Sequence, residues 1–296
     1  MRPLPMLATA AAPFDSADYS CEVKWDGIRA LAASEPGRWS LWGRGGVDYT
    51  ARYPELAVLG RLPVGTVVDG ELVVLRQGRA DLPALLGRHQ RCRPLLAGWP
   101  VVPVCYVLFD VLQLRGQELF QEPLVQRRAR LQDLLAQTNE PLLVYSDGVT
   151  GSGQEFFAQV VAQEHEGVMA KQRGSHYSPG KRSPAWRKIK PTSSLPCAIV
   201  GYQEARHGLK RLLLATLRDG VLRYVGRLSR GLTDPTRGEL ARRLAALRRR
   251  PQPLVSCAQL ACWVEPELYC RVQFTGWTRH GHLRHAVFRG LLDYPA

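Results

Sequence analysis

The chain has 296 residues, 40 Lys and Arg against 26 Asp and Glu, a formal net charge of +14 and an apolar fraction of 45%. That length suits two domains of ordinary size, each with its own core, or one large one. No run of about 18 apolar residues exists to span a membrane, and the start, MRPLPMLATAAAPF, is too poor in basic residues and too soon broken by proline for a secretory leader; a cytoplasmic, non-membrane protein is expected.

In chain order, short apolar or alternating runs at 19–31, 39–41, 66–75 and 101–112 predict strands, separated by turn residues such as Glu35-Pro36-Gly37 and Gln77-Gly78. Apolar residues three and four apart predict helices over 124–136 and 154–165. The segment KPTSSLP, Lys190 to Pro196, is polar, twice interrupted by proline, and reads as a linker. Beyond it the spacing predicts strands over 198–203, 210–217 and 221–225, a helix over 238–249 and a strand over 268–274. That is the order of a small five-stranded oligonucleotide-binding (OB-fold) barrel with an inserted helix, although any small β-rich module is the plainer alternative.

The charge is uneven. Residues 191–296 hold 17 basic and 7 acidic residues, a balance of +10, and the first 190 hold 23 and 19, a balance of +4. A polyanion is expected to touch the C-terminal part most. Seven cysteines, odd in number and with no C-x-x-C pair, read as packed thiols. His280, His282 and His285 lack a fourth ligand at metal-binding spacing and read as phosphate or surface contacts.

Only six of the 40 basic residues are lysine, leaving 34 arginines. A guanidinium stays protonated, whereas an amine among other cations can lose its proton and attack, so the few lysines invite a chemical reading. Lys24 is the only one in the first 170 residues, within CEVKWDGIRALA; a strand running to a turn at Gly27 places Glu22, Lys24 and Asp26 on one face. K-x-D-G alone is a weak signal. Lys171 closes EGVMAK, and Lys188 and Lys190 lie in AWRKIK, so KxDGxR, EGxxxK and WxKxK form an ordered set.

On those motifs the chain resembles the covalent nucleotidyltransferases, and specifically ATP-dependent DNA ligases. GRGG at 43–46 followed by ARYPEL, DGEL at 69–72 and LFDVL at 108–112 extend the resemblance. WVEPEL at 263–268, FTGWTRHGHLRH at 274–285 and FRGL at 288–291 look like the ligase domain of bacterial ligase D and its stand-alone minimal relatives. The resemblance implies an α+β fold: a nucleotidyltransferase (adenylation) domain with antiparallel sheets over 1–191, then an OB-fold DNA-binding domain over 192–296. It implies a monomer without polymerase, nuclease or separate N-terminal DNA-binding modules.

The resemblance also implies roles. Lys24 matches the nucleophile that takes AMP from ATP, its amine made neutral by neighbouring Lys188, Lys190 and a divalent metal. Lys188 and Lys190 match α-phosphate contacts, and Glu166 a ligand of Mg²⁺ or Mn²⁺. Asp26 would place the metal or the incoming hydroxyl, Arg29 and Arg44 would hold phosphate or ribose oxygens, and Glu71 would accept from a ribose hydroxyl. Phe109 would stack on adenine, Glu22 would read its amino group, and Lys171 would meet phosphate. Read from composition alone, Phe109 is a core residue, Glu71 and Arg44 are surface charges and Lys171 is a solvated lysine. Tyr177, Trp186 and Trp277 read as packing near the site.

One departure stands out. Leu292 occupies the place of an arginine in the family's C-terminal motif, whose final lysine is also missing, so either Arg284 or Arg289 substitutes or self-adenylation is slow. The expected function is sealing of 3′-OH/5′-phosphate nicks in duplex DNA, in DNA repair, with a Ku-like end-binding protein as a candidate partner. The rivals are an RNA ligase or capping-type nucleotidyltransferase, and a nick-binding protein with impaired self-adenylation.

Overall fold

The computed structural model describes residues 2–90, 103–206, 208–278 and 280–292. Val101 and Val102, at the start of one predicted strand, Cys92, and residues 293–296 of the divergent tail lie outside them. The chain divides into two compact units, Met1–Lys190 and Pro191–Ala296.

The first unit holds two sheets. One has the order Leu7–Ala10, Arg182–Ile189, Val168–Gln172, Ser16–Val23, Gly148–Gly151, and only its first pairing is parallel. The other runs Leu143–Tyr145, Cys105–Leu114, Thr66–Val73, Ile28–Glu35, Arg38–Gly43, antiparallel except for its first pair. Alternation along Ile28–Glu35 explains its burial on both faces. Ala30 and Ala32 pack with Leu56, Leu59, Leu85 and Leu131 from the helical side, while Leu31 and Ala33 pack with Met6, Phe109 and Trp186 between the sheets.

On the first sheet, Tyr19, Cys21, Val168 and Ala170 cover one face together with Phe156 and Val160 of the helix Gly153–Ala162. Glu22, Met169 and Lys171 therefore point the other way, into the unit. The predicted single strand over 19–31 is instead two strands in different sheets, Ser16–Val23 and Ile28–Glu35. Gly27 lies at the crossover, where an added Cβ would come 2.1 Å from the Leu72 carbonyl oxygen. The backbone is too close there for any side chain. ARYPEL forms 3₁₀ turns, Thr50–Arg52 and Pro54–Arg61.

The second unit is one antiparallel sheet in which the 13-residue strand Ser193–Ala205 pairs with Gly208–Arg218, Cys262–Val264 and Tyr269–Phe274. Val221–Leu228 adds to Gly208–Arg218, and the helix Asp234–Ala246 follows, its N-terminus capped by Thr233. This is the expected OB-fold order with three strands added, Arg249–Arg250, Cys262–Val264 and Val287–Leu292. Among the described residues the seven strands form one sheet whose ladder is not closed. Leu292 lies at the end of the last strand, opposite Tyr269, and Arg289 donates from Nε to Gln273 Oε1 at 2.6 Å.

The predicted linker is also corrected. Ser193 to Pro196 pair with Arg271 to Phe274, and the Gly208–Arg218 strand joins only from Ala198. Pro196 therefore has a strand on one side alone, and its missing N–H costs no ladder bond. Among the described residues no helix is long and apolar enough to cross a membrane.

Candidate active site

Strand register gathers the site. On the first sheet Met169 lies opposite both Glu22 and Lys188, and Lys171 lies opposite Trp186. On the second, Arg29 faces Glu71 across the ladder. The pairing of Thr66–Val73 with Cys105–Leu114 slips between Asp69 and Gly70, where Asp110 and Leu108 are their partners and Phe109 is left over. A bulge re-aims the extra side chain, here toward the space between the sheets. Of these, Glu22, Arg29, Glu71, Phe109, Met169, Lys171, Trp186 and Lys188 line a cavity of about 240 Å³.

Eight expected residues meet on its wall: Glu22, Lys24 and Arg29, with Arg44, Glu71, Phe109, Lys171 and Lys188. Lys24 follows its strand directly and is anchored by its own N–H on the Gly167 carbonyl at 2.8 Å. Its ammonium donates to Glu166 Oε2, and Lys190 donates to Oε1, so one carboxylate is shared by Lys24 on the wall and Lys190, which is not among the lining residues. Gly167, at φ +142°, lies so near Ile189 that a Cβ would be 2.1 Å from its carbonyl oxygen; the EG pair in EGVMAK needs that glycine.

Asp26 does not line the cavity. The strand stops at Val23, so the alternation expected to carry Glu22, Lys24 and Asp26 together ends before Asp26. Lys171 is corrected from a solvated lysine: its side chain is 2% exposed, and it donates to Glu22 Oε2 at 2.9 Å while lying 3.9 Å from the Phe109 ring centre. Burial outweighs the attraction of Glu22 and brings the Lys171 amine down to about 8. Phe109 is both a core residue and a cavity wall.

The Arg29 guanidinium is largely committed within the protein. It forks onto Asp69 at 2.7 and 2.6 Å, and Tyr177 donates to the same carboxylate at 2.6 Å. Glu71 is held as an acid: burial, opposed by Arg29 and Lys24, pushes it up to about 7. Lys188 is shifted down, first by burial and then by Arg182, Lys190, Lys24 and Arg44.

Sequence reasoning passed over five contributors. Asp69 was inside the quoted DGEL without a role, and Tyr177 was assigned only packing. Arg128, on the helix Leu124–Thr138, donates to Glu22 Oε1 at 2.6 Å, and Arg127 forks onto Asp110 at 2.8 and 2.9 Å. The available signal was the aspartate inside the apolar run LFDVL, which required a buried cation. Arg182 also lines the cavity.

The inner cations thus have carboxylate partners: Lys24 and Lys190 on Glu166, Arg29 on Asp69, Lys171 and Arg128 on Glu22. Arg44, Arg182 and Lys188 line the cavity with no ion pair among the described residues. Uncompensated positive charge at one end and a buried aromatic wall with a carboxylate at the other fit a nucleoside polyphosphate.

A lysine in a cationic cavity between two sheets, with a separate OB-fold unit following, is the build of a covalent nucleotidyltransferase. The chain belongs to the ATP-dependent DNA ligase family: the family's "ATP dependent DNA ligase domain" matches residues 5–190 and its "ATP dependent DNA ligase C terminal region" matches 205–293. It is 33% identical over 307 residues to the multifunctional non-homologous end joining protein LigD of Pseudomonas aeruginosa, covering 99% of this chain and 36% of that protein. The chain thus spans little more than a third of that relative. It is similar to the crystal structure of the ligase domain of M. tuberculosis LigD, with TM-score 0.60 and 29% identity over 98% of this chain and 95% of that one. A mycobacterial DNA ligase D complexed with ATP and MES matches with TM-score 0.58, 29% identity and the same coverage.

Proposed function

We propose that this chain is an ATP-dependent DNA ligase that seals 3′-OH/5′-phosphate nicks through a lysyl-AMP intermediate on Lys24. The observation that carries the reading is the wall on which Lys24 meets the unpaired cations Arg44, Arg182 and Lys188. In the first step the Lys24 Nζ–P bond forms as the bond from the α-phosphorus to the bridging oxygen breaks. Pyrophosphate leaves with the electron pair, and the amine's proton passes to solvent. Lys188 and Lys190 hold the α-phosphate, where they offset charge that grows in the transition state. Phe109 stacks on the adenine, Glu22 accepts from its 6-amino group, and Glu71 binds the ribose. Arg29 acts mainly as the Asp69-clamped support of that wall.

Magnesium or manganese fits this donor set in one form. Among the described residues no three His, Cys, Asp or Glu side chains converge on a metal site. A Mg²⁺ ion commonly uses one or two carboxylates and substrate phosphates for its remaining ligands, and Glu166 supplies such a carboxylate. When bound, the ion would offset phosphate charge; Asp26 would act near the incoming hydroxyl.

The unit over 191–296, with its +10 balance, binds the duplex through its phosphates, so affinity falls steeply with salt. Repair of broken DNA beside a Ku-like end-binding partner, in the cytoplasm, is the setting we infer from the LigD relatives. Incubation with α-labelled ATP or GTP, followed by denaturation, tests the chemistry. Label from ATP that survives denaturation and disappears in Lys24→Ala supports the ligase, label only from GTP points to a capping-type enzyme, and no label from either sinks the reading.

A further inference from the structure

The helix Leu124–Thr138 carries none of the motifs that mark the site, yet one of its residues reaches into the site's wall. Arg128 is buried and donates to Glu22 Oε1 at 2.6 Å, to the Ser146 carbonyl at 2.7 Å and to the Phe109 carbonyl at 3.5 Å. Its guanidinium also lies 4.8 Å from the Tyr145 ring centre. One side chain thus ties together the carboxylate and the backbone of the aromatic ring that face the proposed nucleobase.

We propose that Arg128 is a positioning residue that sets the choice of adenine over guanine by holding Glu22 as a fixed acceptor. The proposal rests on the reading of the cavity as an ATP site. Adenine presents an amino donor at position 6, where guanine presents a carbonyl acceptor. A carboxylate fixed opposite that position accepts from the first and repels the second. A carboxylate free to swivel away from that position loses the distinction.

Glu22 needs both of its cations to stay fixed. It is 1% exposed, so its two oxygens are oriented by protein partners rather than by water. Lys171 holds only Oε2 and is itself a buried amine whose charge burial disfavours. Arg128 cannot lose its proton and holds Oε1 from the opposite element. The other ionisable groups near this pair are Asp110, already forked by Arg127, Asp147 and Tyr145, with Lys24 further along the wall. None of these takes the place of Arg128 on Oε1.

The test is formation of labelled enzyme from α-labelled ATP and GTP in the full chain, with the ATP:GTP ratio of rates as readout. Arg128→Met is expected to lower that ratio at least about tenfold, by raising GTP use as well as lowering ATP use. Arg128→Lys, which restores a cation, is expected to recover part of it. Glu22→Gln should lower the ratio comparably, and Arg128→Met should have little further effect in the Glu22→Gln background. A merely structural role would lower both rates together and leave the ratio unchanged.

A ratio within threefold of the original chain in folded Arg128→Met overturns the proposal. If that variant does not fold, a full ratio in Glu22→Gln overturns it instead, because the carboxylate would then not be the reader. Failure of the unmodified chain to label with either nucleotide removes the ATP-site reading itself. Equal labelling from both nucleotides leaves that reading in place and refutes the role of Arg128.

Discussion

Asp69 lies behind Arg29, a residue of the cavity wall, and is fully buried. Its two oxygens accept from Arg29 Nε and Nη2 at 2.7 and 2.6 Å and from the Tyr177 hydroxyl at 2.6 Å. Asp69→Asn removes the charge and leaves one acceptor oxygen for three donors. Breaking a buried ion pair costs about 3–5 kcal/mol, and the retained amide oxygen and unchanged volume place this variant near the lower end, at about 3 kcal/mol. For a unit of this size that is a fall of roughly 6–12 °C in midpoint. Urea denaturation followed by tryptophan fluorescence reports the change, since Trp42 and Trp186 are buried in the same cluster. A double-mutant cycle with Arg29→Met isolates the pair: each single change leaves a partner without its counter-charge, so the double variant should cost less than the sum by about 1.5–3 kcal/mol. A loss below about 1 kcal/mol for Asp69→Asn, or strict additivity, would refute the assignment of Asp69 as the clamp of Arg29.

Other expectations follow from the same geometry. Gly27→Ala drives a Cβ to within 2.1 Å of the Leu72 carbonyl, so the sheet crossover must shift, at a cost of about 2 kcal/mol or more measurable by thermal unfolding. Glu71 keeps its proton up to about pH 7 in the folded chain, whereas its ordinary value is 4.5. The folded state therefore binds more protons than the unfolded one across that window, and stability falls as pH rises from 4.5 to 7. Glu71→Gln should flatten that dependence in unfolding measured at successive pH values; an unchanged slope counts against the shift. Glu166→Gln removes the countercharge of Lys24 and Lys190 and the proposed metal carboxylate together, and should lower enzyme–AMP formation 10- to 100-fold, read from single-turnover labelling across a magnesium titration.

Much of the site's membership was legible because lysine is scarce in this chain and its lysines cluster in short segments. The fold class was legible because alternation and three-to-four spacing survive in most elements; Leu124–Thr138 begins where the periodicity placed it. What escaped depends on pairing in three dimensions. The register slip that frees Phe109 is a property of two strands, and nothing in LFDVL announces it. Nothing in the sequence singles out Arg127 and Arg128; their burial becomes necessary only once Asp110 and Glu22 are known to lie beneath them. Pro196 looked like a break because a proline removes a donor, yet the strand passes through it where no second neighbour asks for one.

The first strand of the chain, Leu7–Ala10, lies beside Arg182–Ile189, and Pro5, Leu7 and Ala8 belong to the cavity wall. On a ribosome residues 7–10 must wait until more than 170 others have emerged before their partner exists. Such distant pairing is slow to find. A nascent chain has no complete cavity wall until that late strand appears, so a ligand of the cavity can stabilise the finished unit but cannot template its earlier stages.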